Sequence, residues 1–318
     1  MSSPSAAAFL VTGATGAQGG SVARELLKAG QRVHALVRDP SKRAAKELES
    51  LGAVLFVGDY DNVDVINKAT TGVKGLFINT YPVPGDEGGE LKHALNLLDA
   101  ARAAGSVKHI VISTSFLAGD HERWLAEDPN YAGRSYYHSK ASAEAAVRAS
   151  GITWTILRPP WLFQNYTYPQ SVFNLPVLHS ERRFLTGVRP DLLFAHLDAA
   201  DIGRWAAAAF LDPQRFGGKA LRPAVENLTL EEIAQALETF AGVKIERAFV
   251  TPAELPHDPK DPIGALRAEV AVWQNRGEAW EPAEELEEIK SYGIPLTTFA
   301  EFLAKNKAAV FATLNVKE

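Results

Sequence analysis

The chain has 318 residues, of which 46% are hydrophobic and 22% charged, with a formal net charge of −5. That length fits one large α/β domain with a smaller second lobe, and the charge gives no reason to expect nucleic acid or an anionic membrane as partner. No cysteine is present, which excludes disulfides, thiolate nucleophiles and Cys-ligated zinc.

Residues 1–8 lack the basic region and apolar core of a signal peptide. No apolar stretch approaches the length of a bilayer span, so a cytoplasmic location is expected. Short apolar runs predict strands at Ala7–Thr12, Arg32–Val37, Ala53–Val57, Gly75–Asn79, Lys108–Ser113 and Thr153–Leu157. Helical patterns fall between them at Ser21–Ala29, Ser41–Ser50, Asn62–Ala69, Gly89–Ala104 and Ser135–Ser150. Strands buried on both faces and separated by helices predict a doubly wound parallel sheet, whose ligands bind beyond the carboxyl ends of the strands.

After Arg158-Pro159-Pro160 the alternation breaks. Trp161–Pro190 is rich in aromatic residues and proline and has no period. Ala199–Leu211 is helical again, and Lys219–Leu221 reads as one more short strand. Thr229 with Glu232, and Thr298 with Glu301, have capping-box spacing and open two further helices. Thr251–Pro262 holds four prolines and reads as a loop. The expected organisation is a first domain over 1–158, rejoined by parts of 196–222, and a smaller mixed C-terminal lobe over 159–318.

The strongest local signal is Val11-Thr12-Gly13-Ala14-Thr15-Gly16-Ala17-Gln18-Gly19-Gly20, which follows a strand and opens a helix. Gly13 permits the tight turn, Gly16 lets the backbone approach a pyrophosphate, and Gly19 lets helix and strand pack closely. The N–H groups at the helix start, Ala17 among them, then point at phosphates. This is the loop of a Rossmann-type α/β fold. At the end of the second strand an NAD enzyme places a carboxylate. Arg38 instead supplies a planar donor fork suited to a 2′-phosphate, with Lys42 or Arg43 adding charge. Asp39-Pro40 reads as a helix N-cap followed by a first-turn proline. The cofactor expected is NADP(H). Asp59 and Tyr60 follow the third strand, Asp59 in reach of the adenine amino group. Asn79 and Thr80 follow the fourth, near the adenine ribose and phosphates.

The fifth strand ends in Ser113-Thr114-Ser115, and Tyr136 and Lys140 stand i, i+4 on one face of the following helix. An ammonium beside a phenol favours phenolate, which suits a tyrosine to acid–base work. A strand-end serine can hold a substrate carbonyl oxygen while Tyr136 protonates it as hydride arrives. Tyr137 lacks the i+4 relation.

These residues, with the glycine loop, resemble the short-chain dehydrogenase/reductase superfamily, whose catalytic set is Ser, Tyr and Lys with a Y-x-x-x-K signature. More closely, the chain is similar to the NmrA-like branch of atypical members. The pieces that carry this are Gly13–Gly20, Arg38-Asp39-Pro40, Gly58-Asp59, Arg158-Pro159 with Phe163-Gln164-Asn165, and Tyr292-Gly293-Ile294-Pro295. The resemblance implies pyrophosphate contacts at Gly13, Thr15, Gly16, Gln18 and Gly19, and 2′-phosphate contacts at Arg38 and Lys42. It also implies a ribose or nicotinamide contact at Lys140, with Pro160, Phe163 and Asn165 near the nicotinamide. Ser115 matches the third of the superfamily's strand-end serines and is preferred to Ser113.

Many members of the branch lack the tyrosine and act as NADP-sensing regulators. With Tyr136 present, the expected function is an NADPH-dependent oxidoreductase acting on a small carbonyl or other unsaturated organic substrate. The alternative is a non-catalytic NADP(H) sensor that binds a protein partner; isomerisation or dehydration is a third reading. Trp161, Phe163, Tyr166 and Tyr168 crowd the segment after the sixth strand, as a pocket wall over the nicotinamide or as second-lobe core. Trp161 and Tyr166 are the substrate-pocket candidates. The scattered histidines show no metal-ligand spacing, so no metal is expected.

Overall fold

Apolar runs and amphipathic segments take turns through the first half of the chain, and a computed structural model shows what they build. It describes residues 7–81, 88–131, 133–255, 262–275 and 283–317. In chain order come β1 (Ala8–Val11), α1 (Ala17–Lys28), β2 (Arg32–Val37), α2 (Arg43–Ser50), β3 (Val54–Val57) and α3 (Val63–Thr70). Next are β4 (Gly75–Ile78), α4 (Gly89–Ala104), β5 (His109–Ser113), α5 (His121–Glu127), α6 (Arg134–Arg148) and β6 (Thr153–Leu157). The aromatic segment that had no period is made of pieces too short to show one: β7 (Trp161–Leu162), α7 (Ser171–Asn174), α8 (Leu178–Glu181) and β8 (Arg183–Thr186). After it come β9 (Phe194–Leu197), α9 (Ala199–Leu211), α10 (Pro213–Phe216), β10 (Lys219–Leu221), β11 (Glu226–Leu228), α11 (Leu230–Ala241) and β12 (Glu246–Phe249). The chain closes with α12 (Pro262–Gln274), α13 (Ala283–Ser291), α14 (Phe299–Lys305) and α15 (Lys307–Thr313).

Seven strands, all parallel, lie in the order β10-β6-β5-β4-β1-β2-β3. The order reverses between β1 and β4, which opens a crevice at their carboxyl ends. β1, β4 and β5 are buried at every position, as strands covered on both faces must be. Leu10, Leu76, Ile78, Ile110 and Ile112 form one core with Leu97 and Leu98 of α4 and Ala143 and Val147 of α6.

The chain divides into two compact units. The first comprises the described residues of Met1–Gly119, Ser135–Pro159 and Ala199–Pro223, so α9 and β10 return to it from late in the sequence. The second comprises those of Asp120–Arg134, Pro160–Asp198 and Ala224–Glu318. Residues 120–134 group with the second unit rather than with the expected run to 158. That segment packs on itself, with the His121 ring 2.7 Å from the Tyr131 hydroxyl and Trp124 edge-on to Tyr131.

In the second unit, β9 pairs antiparallel with β11 and parallel with β7, while β8 and β12 form a separate parallel pair. Phe163, Tyr166, Phe184, Ile233, Leu237 and Phe302 belong to its core. Inside that core His196 Nδ1–H donates to the Phe194 carbonyl at 2.9 Å, so Nε2 accepts from the Tyr166 hydroxyl at 2.7 Å. Burial pushes His196 down to about 4 and the Tyr166 hydroxyl up, so the pair stays neutral at physiological pH. Both expected capping boxes form, at Thr229–Glu232 and Thr298–Glu301. A third, Thr251–Glu254, closes a tight helical turn at Pro252–Glu254, inside the stretch read as loop. The proline-rich part at 256–261 lies outside the described residues.

No helix among the described residues is long and apolar enough to cross a membrane. Among them no group of three or more His, Asp or Glu could hold a metal ion.

Candidate functional site

The crevice between β1 and β4 is tied together by Thr12. Its hydroxyl donates to the Phe77 carbonyl at 2.9 Å and accepts the Asn79 N–H at 3.1 Å. Gly13 follows at φ +59°, a left-handed conformation that side chains disfavour. A Cβ at Gly19 would lie 2.4 Å from the Gly13 carbonyl oxygen and 2.5 Å from that of Thr12, so only glycine lets α1 start against this turn. Gly16 is the N-cap of α1, supplies no side-chain cap, and no acidic residue stands in the first turn. The Ala17, Gln18 and Gly19 N–H groups therefore have no intrahelical partner and no competing carboxylate. That is a cradle fitted to a diphosphate. Thr15 and Ala17 are exposed at its mouth. The Gln18 side chain is engaged elsewhere: its Oε1 accepts from the Ser113 hydroxyl at 2.6 Å and links the loop to the end of β5.

Beyond β2, Arg38 is exposed and makes no hydrogen bond or ion pair with any described residue. The expectation for Asp39 needs correction. Its carboxylate accepts from the Ser41 N–H at 2.9 Å and the Ser41 hydroxyl at 2.6 Å, closing a local turn rather than capping a helix. Those bonds hold its carboxyl below the ordinary value. The helix starts later, at Arg43, with Lys42 as N-cap. The acid that would repel a 2′-phosphate is thus turned onto Ser41, while Arg38 and Lys42 face solvent. Asp59 behaves alike, accepting from Asp61 and Asn62 N–H groups at 3.0 and 3.1 Å ahead of α3. The Tyr60 hydroxyl donates to the Asn79 carbonyl at 2.7 Å beside Gly13. Desolvation pushes it up to about 12, so it is a fixed donor.

At the end of β5 the three hydroxyls have different fates. Ser113 is buried on Gln18, and Thr114 donates to Glu144 at 2.7 Å. Ser115 is half-buried, and its hydroxyl has no partner among the described residues. On α6 the half-buried Tyr136 likewise keeps its hydroxyl uncommitted among the described residues. Its ring stands edge-on to Tyr137, and Lys140 Nζ lies 5.7 Å from the ring centroid.

Lys140 is only 5% exposed, and Nζ donates to the Thr80 carbonyl at 3.1 Å and to Glu90 Oε1 at 2.5 Å. Glu90, 1% exposed, also accepts from the hydroxyls of Thr80 at 2.9 Å and Ser139 at 2.6 Å. Burial works against the ammonium, but the Glu90 carboxylate outweighs it, and Lys140 is held above its ordinary value. Thr80, expected near the ribose, is part of this buried network. Glu90 escaped the sequence reading because an acid in the first turn of a helix is what the helix dipole alone would favour. A second buried acid was missed too. Glu144 receives Arg158 at 3.0 and 2.6 Å, Arg148 at 3.2 Å, and Thr114.

The residues expected from the second unit are placed differently. Pro160 is buried, and Trp161 and Asn165 are half-buried. Trp161 packs on Tyr166 and Phe194, and its indole N–H is buried without a partner among the described residues. Phe163 and Tyr166 are fully buried: Phe163 stacks on His196 at 5.6 Å and leans on Phe299 at 4.9 Å. Their side chains have no surface to offer a nicotinamide or a substrate, because this aromatic cluster is the core of its unit. Phe163→Ala is therefore expected to cost about 3–5 kcal/mol and to leave NADPH affinity intact. Thermal unfolding and a binding titration on the same variant check both halves.

The sequence profile of the NmrA-like family matches residues 6–303. An NAD(P)H azoreductase of Xenophilus azovorans is 29% identical over 319 residues, covering 95% of this chain and 99% of the relative. An Escherichia coli NADPH-dependent quinone oxidoreductase, solved with NADPH, shares the fold at a TM-score of 0.73 and 24% identity, over 93% of this chain and 99% of that one. NmrA, a negative transcriptional regulator solved with NADP, does so at 0.72 and 21%, over 98% and 95%.

Proposed function

Since the chain belongs to the NmrA-like family, we propose that it is an NADP(H)-dependent oxidoreductase that reduces a small unsaturated organic acceptor: a carbonyl, quinone or azo compound. The observation that carries this reading is the Tyr136 hydroxyl, half-buried and uncommitted among the described residues, one helical turn from a lysine kept charged.

When bound, NADPH supplies a hydride. The Ala17, Gln18 and Gly19 amides, with Gly13, Thr15 and Gly16, hold the pyrophosphate, and Arg38 with Lys42 holds the 2′-phosphate. Among the described residues, two of the three Lys140 N–H groups are spent on Thr80 and Glu90, and the third is the one offered to a ribose hydroxyl. Ser115 donates to the acceptor's oxygen or nitrogen. Tyr136 gives its phenolic proton to that atom as it gains electron density, and solvent restores the proton. One proton is consumed with each two-electron reduction.

Arg38→Ala is expected to remove about 1.5–3 kcal/mol of NADPH binding, roughly 10–150-fold, and to leave NADH affinity unchanged. Titrations with both cofactors check this, and equal affinities in the unmodified protein would count against NADP(H). The function itself is tested by NADPH oxidation against a panel of quinones, azo dyes, aldehydes and imines. Tight NADPH binding without oxidation of NADPH by any of these, together with a silent Tyr136→Phe, would favour the NADP(H)-sensing alternative.

A further inference from the structure

We propose that Glu90 is the positioning residue of this site: its buried carboxylate keeps Lys140 an ammonium and sets where the N–H of that ammonium left uncommitted among the described residues points. The inference rests on the NADP(H) reading above. Its basis is geometric. Glu90 enters from α4 and Lys140 from α6, and both are almost fully enclosed. Glu90 Oε1 takes Lys140 Nζ at 2.5 Å and the Thr80 hydroxyl at 2.9 Å, while Oε2 takes the Ser139 hydroxyl at 2.6 Å. Ser139 also reaches the Tyr136 carbonyl at 2.9 Å, so the same acid braces the turn of α6 that carries the tyrosine.

A buried ion pair is a poor device for stability alone, because apolar side chains of similar volume hold two helices together as well or better. What a carboxylate adds here is charge. The groups that face Lys140 are Glu90 from α4, Tyr136 from its own helix, and Tyr81 from the segment after β4. Of these, Glu90 is the acid within hydrogen-bond distance. Without its charge, burial acts on Lys140 with only the weaker opposition of Tyr136 and Tyr81, and the ammonium is held less firmly. It is then lost at a lower pH than in the unmodified protein, and the contact it makes to the cofactor weakens.

The test uses the full chain with Glu90→Gln and Glu90→Asp. One readout needs no cofactor: the ζ-nitrogen NMR resonance of the Lys140 ammonium, identified by its loss in Lys140→Arg. The other is NADPH affinity followed from about pH 7.5 to about pH 9.5, above the ordinary histidine value and below that of lysine. The unmodified protein should keep the resonance throughout, with affinity varying less than about twofold. Glu90→Gln should lose the resonance as pH rises, and its affinity should fall about tenfold across the range. Glu90→Asp should lie between the two, and it carries the test alone if Glu90→Gln does not fold. A resonance that persists in Glu90→Gln, or an affinity loss equal at every pH, would overturn the proposal in favour of a packing role. If the unmodified protein binds no NADPH, the NADP(H) reading fails and the cofactor half of the proposal with it. The resonance still decides whether Glu90 holds the charge.

Discussion

Tyr136→Phe is expected to lower turnover by about 10²–10⁴-fold, the range a positioned proton donor contributes, and to leave NADPH affinity within a factor of about two. The hydroxyl can be removed cleanly because it bonds to no described residue, so its loss strands no partner. The ring keeps its edge-on contact with Tyr137 and its place near Lys140. Melting temperature should therefore not move. Lys140→Ala is less diagnostic, since it would leave the Glu90 carboxylate buried without its cation. Steady-state kinetics with any acceptor that the unmodified protein reduces, paired with a cofactor titration, decides the matter. Turnover at the unmodified rate would take Tyr136 out of the chemistry and leave water as the proton source.

A large loss of stability is expected at Arg158→Met, about 3–5 kcal/mol, because it removes the main partner of a carboxylate that cannot reach water. In a chain of this length that corresponds to roughly 4–8 °C in melting temperature. Arg148 remains on Glu144, but at 3.2 Å and from a far more exposed position. Adding Glu144→Leu to Arg158→Met should recover most of the loss, since an apolar pair can replace a buried ionic one. Thermal denaturation of the single and double variants checks both statements. An undiminished single variant would show that the clamp contributes nothing to stability. Glu144 also receives Thr114, the neighbour of Ser115, so the clamp helps fix the end of β5.

Much of this was legible in the sequence where an element is long or tightly bounded. β2, β6, α4, α9 and β10 have the limits that the apolar pattern predicts, and the glycine loop runs from the end of β1 into the first turn of α1. α1 begins at Ala17, four residues before the expected Ser21, because two glycines in its first turn hide the helical period. Asp39-Pro40 misled because a turn on Ser41 uses the same residue types as a helix cap. Phe163 and Tyr166 could not be divided between pocket and core, since aromatic side chains serve both equally. Glu90 and Glu144 were invisible for a different cause. Their partners at Thr80, Ser139, Lys140, Thr114 and Arg158 are brought together only by the crossovers of a parallel sheet, and a buried acid looks in sequence like any other.

The way the first unit is assembled from the sequence bears on how the chain leaves the ribosome. Its last strand, β10, pairs with β6, and the Leu221 carbonyl accepts the Arg158 N–H at 2.8 Å. The Thr155 hydroxyl donates to the Phe216 carbonyl at 2.8 Å. None of these partners exists when β6 is first made. The nascent chain must instead go on through Pro160–Asp198, which belongs to the other unit, before α9 and β10 arrive. For roughly 3–13 s at ordinary elongation rates, the outer edge of β6 is an unpaired row of amides and carbonyls. Such an edge is a template for pairing with another chain. Neither unit is a contiguous stretch, so a break in the backbone anywhere between Pro160 and Asp198 interrupts both at once.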